Sequence, residues 1–320
     1  MEQLISEVKA LATPEGRMVG TIGHVKAREY IVERLRAVGA EHYSGDRFDL
    51  PYESSSEGFV NIVGRIPGTD TLLDPILVGA HYDTFGRFSG ADDNAAAVAV
   101  LLEFAEGLKV ADLNRDVILA FFDAEEPPHF LGPSMGSIRF YEDQRLEETH
   151  CAIIMDLVGH DVPVPGLEDL IFLTGAESDP DLPVIIKDAE PNSNLRSVPI
   201  LNSYVGDLSD HYIFRTNERP YLLLTCGRWD HYHMASDTPE KLNYEKMAAV
   251  VPYLNDLVER ISKSEKKGPS EAIDTTETEL YFLRKNVLPT LLDGFGLNFD
   301  LNTRDDIDQL VRTMTSQFEL

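Results

Sequence analysis

Five metal-capable side chains, His81, Asp93, Glu126, Asp156 and His233, are spread over 153 positions of the chain, and Glu125 stands directly beside one of them. Imidazole and carboxylate donors in this mixture suit zinc. A further carboxylate beside them is what hydrolysis needs, because something must take a proton from a metal-activated water. The chemistry implied is attack of water on a carbonyl, promoted by one or two cations. The first four residues each lie at the end of an apolar, strand-like run or at a helix entry. Those are the places where an α/β sheet gathers its functional groups.

Each feature also has an ordinary structural reading. His81-Tyr82-Asp83 follows an apolar run, and an aspartate two residues on can orient the imidazole as readily as it can close a turn. Gly90-Ala-Asp-Asp-Asn94 opens a helical pattern, so its paired carboxylates can cap that helix or bridge two ions. Asp123-Ala-Glu-Glu126 ends the continuous apolar run of residues 117–122; there, one glutamate can bind metal while its neighbour faces the substrate. Asp156 ends the next apolar run, and His233 sits in His231-Tyr-His-Met-Ala-Ser-Asp-Thr238, before a long helix. The joint occurrence carries the argument, since five such features in the right setting are not expected by chance.

The elements that must position these residues are legible in the hydrophobic pattern. Helices are predicted over 23–38, closed by Gly39, over 94–108 and over 239–262, with a shorter one beginning near Ser137 and another near 184–187. Strands are predicted at 59–64, 76–80, 117–122, 151–155, 170–173 and 221–225, with a turn at Pro67-Gly68. Continuous apolar runs such as Val117-Ile-Leu-Ala-Phe-Phe122 are typical of strands buried on both faces of a parallel sheet. The expected fold is therefore α/β, three layers with helices on both faces of a central mixed, mainly parallel twisted sheet. The polar run from Ser262 to Ser270 reads as a linker, dividing a domain of residues 1–265 from a linker and helical extension of residues 266–320, with two or three amphipathic helices. No repeat of 20 to 50 residues is evident.

Composition excludes some partners. With 28 basic against 55 acidic residues, the net charge is -27, so phosphate backbones and anionic lipid surfaces are repelled. Neither nucleic acid nor membrane is expected as a partner. The apolar fraction of 43% is enough for a sizeable core, and Cys151 and Cys226 both lie in apolar runs, as buried reduced thiols do. No basic region followed by an apolar stretch opens the chain, and no run approaches a membrane span, so a soluble, cytoplasmic protein is expected.

Taken together, Gly79-Ala-His-Tyr-Asp-Thr84, Gly90-Ala-Asp-Asp-Asn94, Phe122-Asp-Ala-Glu-Glu126, Met155-Asp-Leu157, Ser209-Asp-His211 and Tyr232-His233 followed by Asp237-Thr238 resemble the zinc aminopeptidase family that also contains glutamate carboxypeptidases and glutaminyl cyclases. Gly20-Thr-Ile-Gly-His24 resembles that family's N-terminal helix entry, and the likeness spans about residues 15 to 262. It implies the zinc-exopeptidase fold and a division of labour. His81, Asp93 and Asp156 would hold one zinc; Asp93, Glu126 and His233 would hold the other, with Asp93 bridging. Glu125 would be the general base and later the acid, and Asp83 would orient His81. The resemblance also implies a cis peptide bond between Asp93 and Asn94.

Some details depart from the family pattern. Pro127-Pro-His-Phe130 replaces a short glycine-containing loop at the rim, and Ala96-Ala97 replaces the common Ser-Gly. His231 competes with His233 as a ligand, and position relative to Asp237-Thr238 favours His233. Gly132-Pro-Ser-Met-Gly136 has the form of a serine-hydrolase elbow but lacks a strand immediately before it. Ser209-Asp210-His211 has triad residue types that cannot form a relay as consecutive residues; a pocket or structural role is expected.

Three functions follow. The first is a metalloaminopeptidase acting on peptides or small aminoacyl substrates. The second is a glutaminyl-peptide cyclase using the same Glu125 with one zinc. The third is a non-catalytic binding module on the same scaffold. The C-terminal extension is also expected to pack on the domain or to mediate homo-oligomers.

Overall fold

The apolar run Val117–Phe122 is buried at every position, and it lies inside a sheet that the chain builds around it. The computed structural model describes residues 1–52, 58–189, 191, 194–265, 273–296 and 300–318. Among them, nine strands form one sheet: β1 (Glu41–His42), β2 (Asp49–Pro51), β3 (Val60–Ile66), β4 (Ile76–His81), β5 (Val117–Phe122), β6 (Cys151–Met155), β7 (Leu170–Thr174), β8 (Arg196–Pro199) and β9 (Tyr221–Thr225). Their order is β1-β3-β5-β4-β6-β9-β7-β8, with β2 beside β3. The four central strands β5, β4, β6 and β9 run parallel, whereas β3 is antiparallel to β5 and β7 is antiparallel to β9. This is the mixed α/β sheet expected from the sequence, with its parallel part in the middle.

Alternation along the strands sorts the core into layers. Val117, Leu119 and Phe121 face a cluster with the helices Glu2–Leu11, Ile22–Val38, Ala97–Gly107 and Tyr244–Lys263. Ile118, Ala120 and Phe122 face the other side, against Met135, Ile138, Phe140, Ile213 and Phe214. In β4, Gly79 makes room for this packing: a Cβ there would lie 2.8 Å from the Phe122 ring and 3.2 Å from Ile154.

The central strands and the major helices fall where the pattern puts them. The differences have local causes. The helix predicted from 94 begins at Ala97, because Asp93 (φ -108, ψ 84) and Asn94 (φ -134, ψ 34) leave helical dihedrals inside a wide turn. The helix predicted from 239 is a short 3-10 turn at Pro239–Lys241 followed by the helix Tyr244–Lys263, whose first turn is capped by the Asn243 side chain accepting from Lys246 N–H at 2.9 Å. The strands β1, β2 and β8, each of four residues or fewer, and the N-terminal helix Glu2–Leu11 were not anticipated. Cys151 and Cys226 are buried and free.

The predicted linker at 262–270 lies largely outside the described residues. Beyond it, the helices Thr276–Asn286, Leu288–Phe295 and Arg304–Phe318 pack on the β7–β8 edge of the sheet. Leu280, Leu283, Val287, Leu291, Ile307 and Leu310 share one cluster with Val162, Val164, Leu170, Val198 and Cys226. Asn286 donates to the Ser197 carbonyl at 2.8 Å, and Arg196 donates to the Asn286 carbonyl at 2.9 Å, so polar contacts cross this junction as well. Among the described residues no helix is long and apolar enough to cross a membrane.

Candidate metal centre

β4 lies between β5 and β6, so the loops leaving these three parallel strands open in different directions and a crevice forms at their C-terminal ends. His81 is the last residue of β4. Asp123, Glu125 and Glu126 follow β5, and Asp156 follows β6. Asp93 comes from the wide turn Ala91–Ala96, and His233 from the segment between β9 and the long helix. The structure brings all five proposed ligands and Glu125 to one buried place.

Asp93 sits at the centre of the arrangement. Its Oδ1 lies 3.3 Å from His81 Nε2, and its Oδ2 lies 3.1 Å from His233 Nε2. His81 Nε2 also faces Asp156 Oδ1 at 3.6 Å, and His233 Nε2 faces Glu126 Oε2 at 3.0 Å. Two imidazole–carboxylate sets therefore share one aspartate, with one of its oxygens turned to each. Ligand atoms of His81, Asp93 and Glu126 all lie within 4.8 Å of one another. Glu125 Oε2 is 3.9 Å from His81 Nε2, farther than the Asp93 and Asp156 oxygens. His231 lies apart from this cluster: it pairs with Ser236 at 2.9 Å and meets Trp229 edge-on.

The donor set fits cations. His81 Nε2, Glu126 Oε1, Asp156 Oδ1 and His233 Nε2 are buried without a hydrogen-bond partner. Buried polar atoms left in that condition cost free energy unless another ligand satisfies them. The charge balance points the same way, since buried Asp83, Asp93, Glu125, Glu126, Asp156 and Asp210 surround two imidazoles. Burial, then the neighbouring carboxylates, push Glu125 and Glu126 well above the usual carboxylate range. For Asp93 burial acts upward too, but the two imidazoles hold its carboxyl below that range. For His81 burial acts downward, yet Glu125, Asp156, Asp83 and Asp93 together raise it well above its ordinary value.

A second layer fixes these groups. Asp83 Oδ1 is 3.4 Å from His81 Nδ1, and the two Asp83 oxygens accept the N–H groups of Glu125 and Glu126, both at 3.1 Å. Asp83 therefore serves the backbone of the glutamate pair as well as the imidazole. Asp237 accepts the N–H groups of Asp92 and Asp93, and Asp92 accepts from Gly159 and His160. Asn94 donates to the Met155 carbonyl at 3.0 Å, tying the wide turn to the end of β6. The Asp93–Asn94 peptide bond is cis, as the resemblance implies.

Sequence reading missed Arg17. Its buried guanidinium donates to the carbonyls of Tyr82, Leu11, Ser89 and Gly90, binding together the loops on either side of the metal-capable residues. Burial lowers it to about 10, and Asp93, Asp237, Asp83 and Glu126 oppose that fall, so it stays a cation beside an acidic cluster. Nothing in its sequence context marks it, because its partners are carbonyls 6 to 73 positions away.

Ser134 forms no elbow. Its hydroxyl lies 3.1 Å from His129 Nδ1 in the rim loop, and no strand immediately precedes it. Ser209-Asp210-His211 divides its roles. Asp210 is buried near the centre; burial, then the Asp156 and Asp83 carboxylates, push it up to about 7 against the opposing pull of His81 and Ser137. His211 turns away, with its Nε2 placed 3.1 Å from both Asn202 Oδ1 and the Gly206 carbonyl.

Burial pulls the His211 ring down to about 4, against the upward pull of Asp207 and of the hydrogen bond to the Gly206 carbonyl, so the ring is neutral at neutral pH. Its folded value lies below the ordinary 6.5, so the unfolded chain binds the proton more tightly. The resulting stability is fully present above pH 6.5 and is lost as pH falls toward 4, a contribution of roughly 3 kcal/mol. Replacing His211 with Gln should flatten the pH dependence of the unfolding free energy across that window. Equal slopes for the two proteins would contradict this account.

Comparison with known proteins places the chain. Residues 61–258 match the family model described as Peptidase family M28. The uncharacterized protein YfbL of Escherichia coli (strain K12) is 30% identical over 282 residues, covering 78% of this chain and 85% of that protein. A probable leucine aminopeptidase of Trichophyton verrucosum is 24% identical over 271 residues, covering 77% of this chain and 69% of that one. Among solved structures, the glutaminyl cyclase of Tannerella forsythia superposes with a TM-score of 0.64 at 18% identity, covering 82% of this chain and 98% of that one.

Proposed function

The chain belongs to peptidase family M28, and on that footing we propose that it is a zinc-dependent exopeptidase, specifically an aminopeptidase that releases N-terminal residues from peptides or small aminoacyl substrates. The observation that carries the reading is Asp93, whose two oxygens each face a different imidazole. Such a shared carboxylate fits two cations rather than one. In this reading His81, Asp93 and Asp156 hold one zinc, and Asp93, Glu126 and His233 hold the other. Zinc held there supplies Lewis acidity, which makes a water nucleophilic at neutral pH and polarises the scissile carbonyl.

The remaining work falls to the chain's own residues. Glu125 takes the proton from the attacking water and later returns it to the departing amine. Asp83 keeps the His81 ring aligned and fixes the backbone from which Glu125 and Glu126 diverge. Arg17 and Asp237 hold the surrounding loops.

The second reading is cyclisation of an N-terminal glutaminyl residue, in which the substrate's own α-amine attacks its side-chain amide and ammonia leaves. Glu125 would then move the proton between those two nitrogens. The likeness to a glutaminyl cyclase that is covered over 98% of its own length supports this reading.

Zinc-loaded protein tested with a leucyl chromogenic amide and a glutaminyl peptide separates the two. The aminopeptidase reading expects two zinc ions per chain and amine release from the leucyl substrate, abolished by chelation and restored by zinc. Cyclisation of the glutaminyl peptide with no leucyl hydrolysis would replace it. Tight zinc binding without turnover of either substrate would favour a binding module.

A further inference from the structure

Metal-binding histidines are usually oriented through their second ring nitrogen, which donates to a carboxylate or carbonyl. At His81 a carboxylate stands in that place, with Asp83 Oδ1 3.4 Å from Nδ1 at ion-pair rather than hydrogen-bond geometry. His233 has no such group: neither a hydrogen bond nor an ion pair to its Nδ1 exists among the described residues. It lies in a loop, its φ is +56, which is a left-handed conformation that a side-chain-bearing residue rarely adopts, and its side chain is 21% exposed against 1% for His81. Something else must hold the ring in register with Asp93 and Glu126.

Two aromatic rings are placed to do so. Phe85 stacks on the imidazole with centroids 4.3 Å apart and planes within 7°, and Tyr232 stacks on it at 3.8 Å and 21°. Two rings at those distances and tilts cannot share one face of an imidazole, so they occupy opposite faces. The stack continues outward, from Phe85 to Phe88 at 6.3 Å and from Tyr232 to the Arg228 guanidinium at 5.0 Å. Phe85 is 36% exposed at the mouth of the site, so it contributes little to the core; its contact with His233 gives that exposed ring a purpose. Stacked pairs contribute beyond their area burial, and a flat ring gripped on both faces can rotate only within its own plane.

We propose that Phe85 and Tyr232 are positioning residues that clamp the His233 imidazole, and that this clamp, in place of a hydrogen bond on Nδ1, sets how tightly the cation site of Asp93, Glu126 and His233 fills. This rests on the reading of His233 as a metal ligand. The site of His81, Asp93 and Asp156 has no part in the stack, so the two sites respond differently to its loss.

The test is titration of metal-free protein with zinc against a competing chelator. In Phe85→Leu one of the two zinc ions should bind about tenfold more weakly, the scale seen when outer partners of metal ligands are removed. The other should be unchanged, and the melting temperature of the metal-free protein should stay as it was. Phe85→Trp, which keeps a flat face, should restore the weakened site. Two unaltered zinc affinities in Phe85→Leu would overturn the clamp, and so would failure of Phe85→Trp where Phe85→Ala and Phe85→Leu are equally impaired. His233→Ala is the control for the premise: if it binds zinc as the parent does, His233 is not a ligand, and the failure lies with the site assignment rather than with the clamp.

Discussion

Replacing Glu125 with glutamine should lower turnover by about three orders of magnitude while zinc content stays at two ions per chain. The substitution keeps shape and removes the ability to accept a proton. Glu125 is buried, its Oε2 lies 3.9 Å from His81 Nε2, and its own N–H is held by Asp83, a bond that glutamine preserves. Burial, followed by the carboxylates of Glu126, Asp156 and Asp210, moves its carboxyl well above the ordinary range, the direction a base working near neutral pH requires. The informative contrast is Asp93→Ala. That change removes the carboxylate common to both imidazoles, so zinc should be lost together with activity. Metal analysis beside kinetics on both variants checks the pair. A Glu125→Gln protein that turns over substrate at nearly the parent rate would sink the assignment of the base. An Asp93→Ala protein that retains two zinc ions would sink the assignment of the bridge.

The second large effect is on folding. Ending the chain after Glu265 should give protein that aggregates or binds hydrophobic dyes, because the helices beyond it share a buried apolar cluster with the rest of the chain. Val162, Val164, Leu170, Val198 and Cys226 are almost inaccessible, and their cluster is completed by Leu280, Leu283, Val287, Leu291, Ile307 and Leu310. The removal also bares the β8 edge, whose Ser197 carbonyl accepts from Asn286. Glu279 is buried between Thr275 and Arg304, so the tail contains a paired charge that a loosely attached segment would have no reason to bury. A gentler variant, Leu291→Ala, should cost about 2–5 kcal/mol, as truncations of fully buried leucines do. Thermal melts and zinc titration of the shortened chain decide the matter. A soluble 1–265 protein with unchanged melting and metal binding would make the tail a separable extension.

Much of the architecture is a local matter, which is why pattern reading recovers it. β5 and β6 are uninterrupted apolar runs and β9 is one closed by Thr225, and their boundaries emerge from the sequence to the residue. What escapes are elements whose stability is borrowed. β1 and β2 have two and three residues, gain their order by pairing with β3, and carry no burial pattern of their own. β8, beginning with an exposed-looking arginine in a polar segment, is held by β7 and by the tail helix.

The chemistry divides along the same line. The residue types, their order along the chain and their places at strand ends are written in the sequence, because a strand's end is set by where its apolar run stops. That the two oxygens of Asp93 turn to different imidazoles, that Arg17 gathers four carbonyls, and that His233 rather than His231 enters the pocket between Phe85 and Tyr232 are decisions of the tertiary structure. Each depends on contacts between segments tens to more than a hundred residues apart. Such contacts form through packing and hydrogen-bond geometry, and these leave no periodic mark on the chain.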